Sequence, residues 1–354
     1  MIQRAVLLTA AIPYLVGGTG VVPLVGQDVD YVNHFRVYTG NGEPASLSDI
    51  ASAMGDVDAV LIGEDHTDPV GHWIEAELLR IALAESESGA TRPVALSLEM
   101  FERDVQGVVN EYLQDLITEG QFKASARPWE FYDADYRAMV ELAKESGIPV
   151  IAANAPRRYV NRVTRLGRDA LDALPSYGRS FLPPLPYPQP SDNYRDEWLG
   201  LMAVMPMERQ CIPPGSEATA EQDSAAAHPM QQEKEAPPTQ RPPHMGAFLE
   251  NGLQAQALWD ASMAHAIATH LDENPRALVL HMVGGFHVEN FTGTPEQLQY
   301  YRPGTLSLVV LIDNVDEFES FDVEEHAGKG DFVILTDRSL DLEYERFCVD
   351  EDRS

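Results

Sequence analysis

The repeated alternation of short apolar runs with longer amphipathic segments most constrains the fold of this chain. The runs "DAVLIG", "PVALSLEMF" and "IPVIAANA" are each followed by a stretch whose apolar residues have helical spacing. After the second and third runs, the spacing predicts helices over residues 103–117 and 157–174. Strands that are apolar throughout are typical of a parallel sheet, because helices cover both of its faces. The pattern therefore predicts an α/β fold: a mostly parallel sheet with helices on both faces, in one domain with a disordered insertion.

The predicted insertion divides the domain into two parts, residues 34–204 and residues 246–340. Between them, residues 205–245 are rich in Pro, Gln, Ala and Glu. This segment has too few apolar residues to form a core, so we predict that it is disordered. At the ends of the chain, we interpret residues 1–27 as a signal peptide or a disordered N-terminus, and residues 341–354 as an acidic tail.

The charge balance bears on the possible partners. Fifty-six acidic and 25 basic residues give a net charge of −31, which argues against nucleic-acid binding through a general basic surface. Only four of the basic residues are lysines. We interpret an acidic, lysine-poor surface as an adaptation to a saline environment, with a generally acidic proteome as the alternative.

The first residues predict export. Arg4 precedes "AVLLTAAIPYLV", which resembles the apolar core of a signal peptide. We therefore predict a periplasmic or cell-surface location, with the cytoplasm as the alternative. No apolar run reaches the roughly 18 residues of a membrane helix, so we predict no transmembrane span. No Cys follows the apolar core closely, so we also expect no N-terminal lipid anchor.

Polar residues follow several of the predicted strands. "LIGEDHTD" and "HMVGGFHVEN" both contain Gly-x-x-His, with His66 and His287 as the histidines. Glu99 ends the second strand, and Asn154 and Arg157 follow the third. In doubly wound sheets, ligands bind outside the carboxyl ends of the strands. We therefore expect polar side chains from four strands to converge on one site.

An acidic residue also begins an apolar helical stripe after the insertion. Asp260 shares a helix face with Met263, Ala264 and Ile267. A buried carboxylate requires a metal, a basic residue or backbone donors, because an unpaired buried charge is very unfavourable. Arg157 and Arg158 are the candidate partners, and a purely structural ion pair is the simpler interpretation of Asp260.

The convergent residues suit a metal-dependent hydrolase. His66, Glu99 and His287 offer nitrogen and oxygen ligands for a divalent metal such as Zn, Mn or Co, which would activate a water molecule. Glu64 or Asp65 then lies near enough to act as a general base. Taken singly, each His is explained as a loop or N-cap residue, and Glu99 as an N-cap or salt-bridge partner. His72 and His265 are interpreted as surface or core-packing residues.

Five motifs resemble, in order, those of the ChaN-like haem-binding uptake proteins. They are "LIGEDHTD", "LSLEMF", "VIAANAPRRYV", "WDASMAH" and "MVGGFHVEN". The resemblance extends from about His34 to Asp313, apart from the insertion. More distantly, that family is similar to the Tiki proteases and the erythromycin esterases, which share the paired Gly-x-x-His motifs.

The resemblance implies haem binding, a homodimer that holds two haems face to face, and a Tyr as the iron ligand. Tyr136 best matches the family's aromatic pattern, and Tyr159 directly follows the third strand. A nearby Arg such as Arg157 would favour the phenolate or pair with a haem propionate. The further candidate haem-binding residues are His66, His287 and Asp260. In the hydrolase branches, the positions that match His66, Glu99 and His287 are expected to be catalytic or metal-binding.

The function that we expect is haem binding at the carboxyl edge of the sheet, in haem or iron uptake or handling. The first alternative is a metal-dependent hydrolase of an ester or peptide, so the sequence leaves open whether the protein is an enzyme. The second is a non-catalytic acidic interaction scaffold.

Overall fold

A computed structural model describes residues 31–86, 92–208 and 245–340 of the chain. One sheet runs through all three segments, in the order β2-β1-β8-β7-β3-β6-β4-β5. Its strands are β1 (Phe35–Thr39), β2 (Pro44–Ala45), β3 (Ala59–Glu64), β4 (Val94–Glu102), β5 (Val150–Asn154), β6 (Leu278–Gly284), β7 (Ser307–Val315) and β8 (Phe332–Asp337). All neighbours pair in parallel except β1, which is antiparallel to both β2 and β8.

Helices cover both faces of this sheet. They are α1 (Leu47–Met54), α2 (Pro69–Glu85), α3 (Gln106–Leu113), α4 (Glu119–Ala126), α5 (Tyr132–Asp135), α6 (Arg137–Ser146), α7 (Arg157–Leu166), α8 (Ser176–Arg179), α9 (Asp192–Glu208), α10 (Met245–Glu273), α11 (Thr294–Tyr301) and α12 (Val323–His326). The predicted α/β class, with a mostly parallel sheet and helices on both faces, is confirmed.

The alternation of side chains along the strands builds two cores, one on each face of the sheet. Val60 and Ile62 of β3 pack in the larger core, with residues of α1, α2 and α6. Leu61 of β3 and Val279 of β6 point to the other face and pack against α10. Because β3 and β6 are buried on both faces, their sequences are apolar apart from His281 within β6 and Glu64 at the end of β3.

The ends of two helices follow directly from the sequence. A capping box begins α1, with the Ser46 amide donating to Asp49 Oδ2 at 2.8 Å. At the start of α2, the buried Asp68 carboxylate accepts from the Val70 amide at 2.9 Å. This cap fixes the loop between β3 and α2, which carries His66.

Two predicted helices are wrong in extent. The helix expected over residues 103–117 is a 3-10 turn, Arg103–Val105, followed by α3. The helix expected over residues 157–174 ends early, because Gly167 adopts φ 80° and ψ 165°. A 3-10 segment, Arg168–Ala173, follows that glycine. Local backbone geometry at the breaks, rather than the apolar pattern, decides where these helices end.

The edges of the predicted insertion are helical. Helix α9 extends to Glu208, and α10 begins at Met245, so residues 205–208 and 245 belong to helices. The rest of the insertion, the predicted signal peptide up to residue 27 and the acidic tail from residue 341 lie outside the described residues. Within the described ranges, no helix combines the length and apolar character that crossing a bilayer requires.

Candidate functional site

The two Gly-x-x-His motifs lie side by side at the carboxyl edge of the sheet. Strands β3 and β6 pair in parallel, with Glu64 opposite Gly284. The His66 ring lies over Gly284: a Cβ added to this glycine would be 3.0 Å from His66 Cε1 and 3.1 Å from Nε2. The same point is 3.7 Å from Glu99 Oε2. Because Gly284 has no side chain, the His66 ring can lie over residue 284 and approach Glu99 of β4.

His66 is the accessible group of the site. Its side chain is 44% exposed, and Nδ1 contacts Glu64 Oε1 at 2.7 Å. The ring packs edge-on against Trp129, with centroids 4.6 Å apart. Partial burial disfavours the imidazolium, but the hydrogen bond to Glu64 and the charge of that carboxylate outweigh it, so the pKa of His66 is raised. With Nδ1 held by a carboxylate, Nε2 is the nitrogen available to a ligand.

The Glu64 carboxylate contacts two further side chains in addition to His66. Oε1 also accepts from the Tyr136 hydroxyl, and Oε2 lies 3.5 Å from His72 Nδ1. Burial alone would raise the pKa of Glu64, but the charge of His72 and the hydrogen bond from His66 lower it to about 2. Glu64 is therefore an anion at neutral pH and orients the His66 ring.

His287 and Glu99 form the second part of the site, on the opposite face of the sheet. His287 Nε2 lies 3.8 Å from Glu99 Oε1, and Glu99 Oε2 accepts from the Gly284 amide at 2.9 Å. Glu99 lies on the same face of β4 as Ala95 and Ser97, because every second residue of a strand points the same way. This is the face that α10 covers. Both side chains are more than nine-tenths buried.

Asp260 of α10 anchors His287. Its Oδ1 contacts His287 Nδ1 at 2.9 Å and accepts from Thr294 Oγ1 at 2.9 Å, and its Oδ2 accepts from the Tyr194 hydroxyl. Burial opposes a charged imidazole, but the Asp260 carboxylate more than compensates and raises the pKa of His287 to about 9. His287 is therefore a cation at neutral pH, paired with a buried anion.

The predicted arginine partner of Asp260 is wrong. His287, Tyr194 and Thr294 occupy that carboxylate, while Arg158 donates to Asp104 at 2.6 Å. The reason is the position of α7: it begins at Arg157, and both arginines are exposed on its first turn. The Asp260 carboxylate instead lies in the packed layer beneath α10.

The model of one family matches residues 50–298, and its description is haem-binding uptake, Tiki superfamily, ChaN. This chain belongs to that family. No curated protein matches it significantly. Among solved structures, one titled "Cofacial heme binding to ChaN of Campylobacter jejuni" is similar, with 15% identity and a TM-score of 0.57, covering 86% of this chain and 97% of the other. At this identity, the similarity shows the fold.

Two further structures are similar at lower TM-scores. The type III effector HopBA1 has 12% identity and a TM-score of 0.40, covering 82% of this chain and 93% of its own. An erythromycin esterase mutant in its open conformation has 10% identity and a TM-score of 0.39, covering 86% and 83% of the two chains.

The tyrosines predicted as haem ligands of this ChaN-family chain lie in different surroundings. Tyr136 is 2% exposed and donates its hydroxyl to Glu64. Burial, then the negative charge of Glu64, raises the pKa of Tyr136 well above its usual value, so it is a phenol rather than a phenolate. The Tyr159 hydroxyl lies beside Gly178, and its ring packs 4.5 Å from the Arg158 guanidinium carbon. The Tyr136 hydroxyl is therefore buried, and the Tyr159 hydroxyl lies against α8.

The predicted metal ligands His66, Glu99 and His287 are neighbours, but they do not form a compact set of donor atoms. Among the described residues, one group of at least three His, Cys, Asp or Glu has ligand atoms that all lie within 4.8 Å of one another. That group is Glu64, His72 and Glu75. Metal binding by the predicted set stays a prediction that requires movement of at least one side chain.

Two sets of residues at the site were not predicted from the sequence. Tyr194 belongs to α9, immediately before the insertion, where the strand–helix pattern had ended. His72 is not a mere packing residue but is fully buried against Glu64 and Glu75. A signal for it was available: His72 and Glu75 have i, i+3 spacing on the buried side of α2. Polar side chains on an apolar helix face indicate a polar partner in another part of the fold. The same reasoning applies to Asp260.

Proposed function

We propose that this protein binds haem at the carboxyl edge of the sheet, with His66 as the iron ligand. The observation that carries this proposal is the His66 imidazole, whose side chain is 44% exposed while Nδ1 is held by the buried Glu64 carboxylate. A carboxylate on one nitrogen fixes the orientation of the ring and increases the basicity of the other nitrogen. When bound, haem supplies an iron that accepts an imidazole nitrogen.

Two residues at this edge of the sheet suit a flat, apolar ligand with acidic substituents, Trp129 beside His66 and Arg157 after β5, three strands from β3. Trp129 presents a ring next to the imidazole, at a centroid distance of 4.6 Å. Arg157 is exposed at the start of α7, directly after β5 ends at the same edge of the sheet. Its guanidinium suits a propionate. The buried phenol of Tyr136 instead supports His66 indirectly, by sharing the Glu64 carboxylate with it.

Haem binding through His66 is expected to depend on pH. The pKa of His66 is raised above its ordinary value, because Glu64 outweighs the effect of burial. A ligand nitrogen must lose its proton, so the affinity should increase as the pH rises through that pKa. Proton release on binding, measured in weakly buffered solution, is the direct readout.

The test is a haemin titration of the purified protein in saline buffer, followed through the Soret band. We expect saturation near one haem per chain, and a roughly 100-fold loss of affinity in His66→Ala. Tyr136→Phe should keep the band, and so should His270→Ala, which removes a His from the far end of α10. A band that Tyr136→Phe abolishes and His66→Ala retains would overturn the ligand assignment.

We further propose that the haem-bound form is a homodimer that acts in haem or iron uptake outside the cytoplasm. The support is family membership together with the cofacial haem arrangement named for the Campylobacter jejuni ChaN structure. Sedimentation with and without haem tests the dimer: the mass should double with haem and not without it. Fractionation of the producing cells tests the location.

Hydrolysis is the second candidate, and the buried pair of His287 and Asp260 beside Glu99 favours it. His287 is a cation that could donate a proton, and Glu99 lies 3.8 Å from its Nε2 and could activate water. Ester and peptide substrates are the class to screen. Activity that His287→Gln abolishes, in protein that still binds haem, would establish it. The absence of turnover by folded wild-type protein would reject it.

A further inference from the structure

Three fully buried polar residues lie beneath His66: Glu64, which holds the His66 ring, and His72 and Glu75, which the proposed haem site does not use. We name Glu64, His72 and Glu75 the buried triad. His72 Nδ1 is 3.0 Å from Glu75 Oε2 and 3.5 Å from Glu64 Oε2. The side chains of all three are at most 4% exposed. The triad joins the end of β3 to the first turns of α2, in the larger core.

The hydrogen bond on the other side of His72 fixes which of its nitrogens can bind a cation. His72 Nε2 lies 3.1 Å from the His66 carbonyl oxygen, and a carbonyl accepts only, so Nε2 carries a hydrogen. Nδ1 therefore faces the two carboxylate oxygens in one of two forms: with a proton, as an imidazolium, or with a lone pair that binds a metal ion lying between them. Burial opposes the imidazolium, but the charge of Glu64 and the hydrogen bond to Glu75 outweigh it and raise the pKa of His72 well above its usual value, so a proton occupies Nδ1 when no ion is bound.

The carboxylates also have capacity that the protein does not fill. Glu64 Oε2 and Glu75 Oε1 are buried and have no hydrogen-bond partner among the described residues. Buried carboxylate oxygens without a partner are strongly unfavourable, and two such oxygens beside one imidazole indicate a bound cation.

We propose that the buried triad binds a divalent transition-metal ion, with Zn²⁺ the best match to one imidazole nitrogen and two carboxylates. The donor atoms all lie within 4.8 Å of one another. Ligands of a tetrahedral zinc ion at about 2.0–2.1 Å are about 3.3 Å apart. The two separations from His72 Nδ1, 3.0 and 3.5 Å, bracket that value.

The ion would act as a positioning device for His66. Glu64 would bind it through Oε2 while Oε1 keeps its contacts with His66 Nδ1 and the Tyr136 hydroxyl. The His72 ring would bind it through Nδ1 and keep its bond to the His66 backbone. Metal binding thus couples the core to both ends of His66. The proposal does not rest on haem binding, because the ion's three ligands are tested through the ion itself.

The first experiment is a metal analysis of wild-type protein that has been purified without a metal-affinity step, then stripped with chelator and refilled with Zn²⁺. We expect one tightly held ion per chain, and a melting temperature higher by about 3–5 °C at a hundredfold excess of free ion over Kd. Co²⁺ in place of Zn²⁺ should give the visible bands of a low-symmetry site.

The matched variants are Glu75→Gln and Glu77→Gln, which make the same change on the same helix. Glu77 pairs with Arg80 at the surface and lies outside the triad. Glu75→Gln should weaken Zn²⁺ binding by about 100-fold or more, and Glu77→Gln should leave it unchanged. Haem binding is scored separately in each protein, so failure of one proposal does not imply failure of the other.

Two outcomes would overturn the proposal. One is Zn²⁺ binding of equal strength in Glu75→Gln, which would locate the ion on the acidic surface. The other is wild-type protein that binds no ion and whose melting temperature is unaffected by chelator. Protons would then take the place of the ion. One lies on His72 Nδ1, because the charge of Glu64 and the hydrogen bond to Glu75 outweigh burial and raise the pKa of His72, and one lies on Glu75, whose pKa is raised well above its usual value by burial and by the charge of Glu64. The wild-type arm remains decisive if Glu75→Gln fails to fold.

Discussion

The two Gly-x-x-His motifs build similar arrangements on opposite faces of one sheet. In each, the histidine Nδ1 contacts a buried carboxylate that also accepts from a buried tyrosine hydroxyl. Glu64 and Tyr136 serve His66, and Asp260 and Tyr194 serve His287. The two histidines differ in access, because the His66 side chain is 44% exposed and that of His287 is 8% exposed.

Because the two histidines differ in exposure, they have different roles. An exposed imidazole with a fixed orientation can meet a ligand as large as haem, whereas a buried one can act only on its neighbours. The carboxylates also differ in origin: Glu64 lies two residues before its histidine, and Asp260 comes from a helix that packs over the other face. In the first arrangement the carboxylate and the histidine come from one loop, and Tyr136 alone is distant in sequence. In the second, the carboxylate, the tyrosine and the histidine come from three separate parts of the chain.

The largest effect that we expect is on the buried side. Asp260→Ala leaves a buried imidazolium and two hydroxyls without their acceptor, so it should lower the free energy of unfolding by about 3–5 kcal/mol. Denaturant unfolding measures this. The control is Asp272→Ala on the same helix, whose exposed pair with Arg302 should contribute about 1 kcal/mol or less. Equal losses in the free energy of unfolding would show that the buried pair stabilises the protein no more than the exposed pair does.

The second effect is the pH dependence that His287 confers. Folding raises its pKa from 6.5 to about 9, so its contribution to stability is complete below pH 6.5 and is lost as the pH rises through 9. The shift corresponds to about 3 kcal/mol. We expect the stability difference between wild type and His287→Gln to shrink by roughly that amount between pH 6.5 and 9.5. A difference that stays constant would mean that His287 is neutral in the folded protein.

The smallest effect concerns the glycine where the two arrangements meet. In Gly284→Ala the new methyl group would lie 3.0 Å from His66 Cε1, so the ring must move. The expected loss of stability is about 1–2 kcal/mol, accompanied by weaker haem binding.

Gly107→Ala is the control for that variant. It lies in α3 with no atom within 4 Å of the added carbon, and should stabilise by about 0.5–1 kcal/mol. Unchanged haem affinity in Gly284→Ala would show that haem binding does not depend on the position of the His66 ring.

The sequence by itself determined the sheet and its edge. Apolar runs buried on both faces require covering helices, so "DAVLIG" and "ALVLHMVGG" could be identified as strands of a parallel sheet without a structure. The two Gly-x-x-His motifs follow those strands, and parallel strands end at the same edge. Contacts within a few residues, such as the capping box of Ser46 and Asp49, were equally accessible.

Only the tertiary structure decided which side chains share a carboxylate. Tyr194 reaches Asp260 across 66 positions that include the insertion, and no local pattern specifies that contact. Glu64 and His72 come together because α2 packs on the face of β3 to which Glu64 points. Side-chain partners at a buried site depend on how helices are placed over a sheet, and long-range packing rather than local propensity sets that placement.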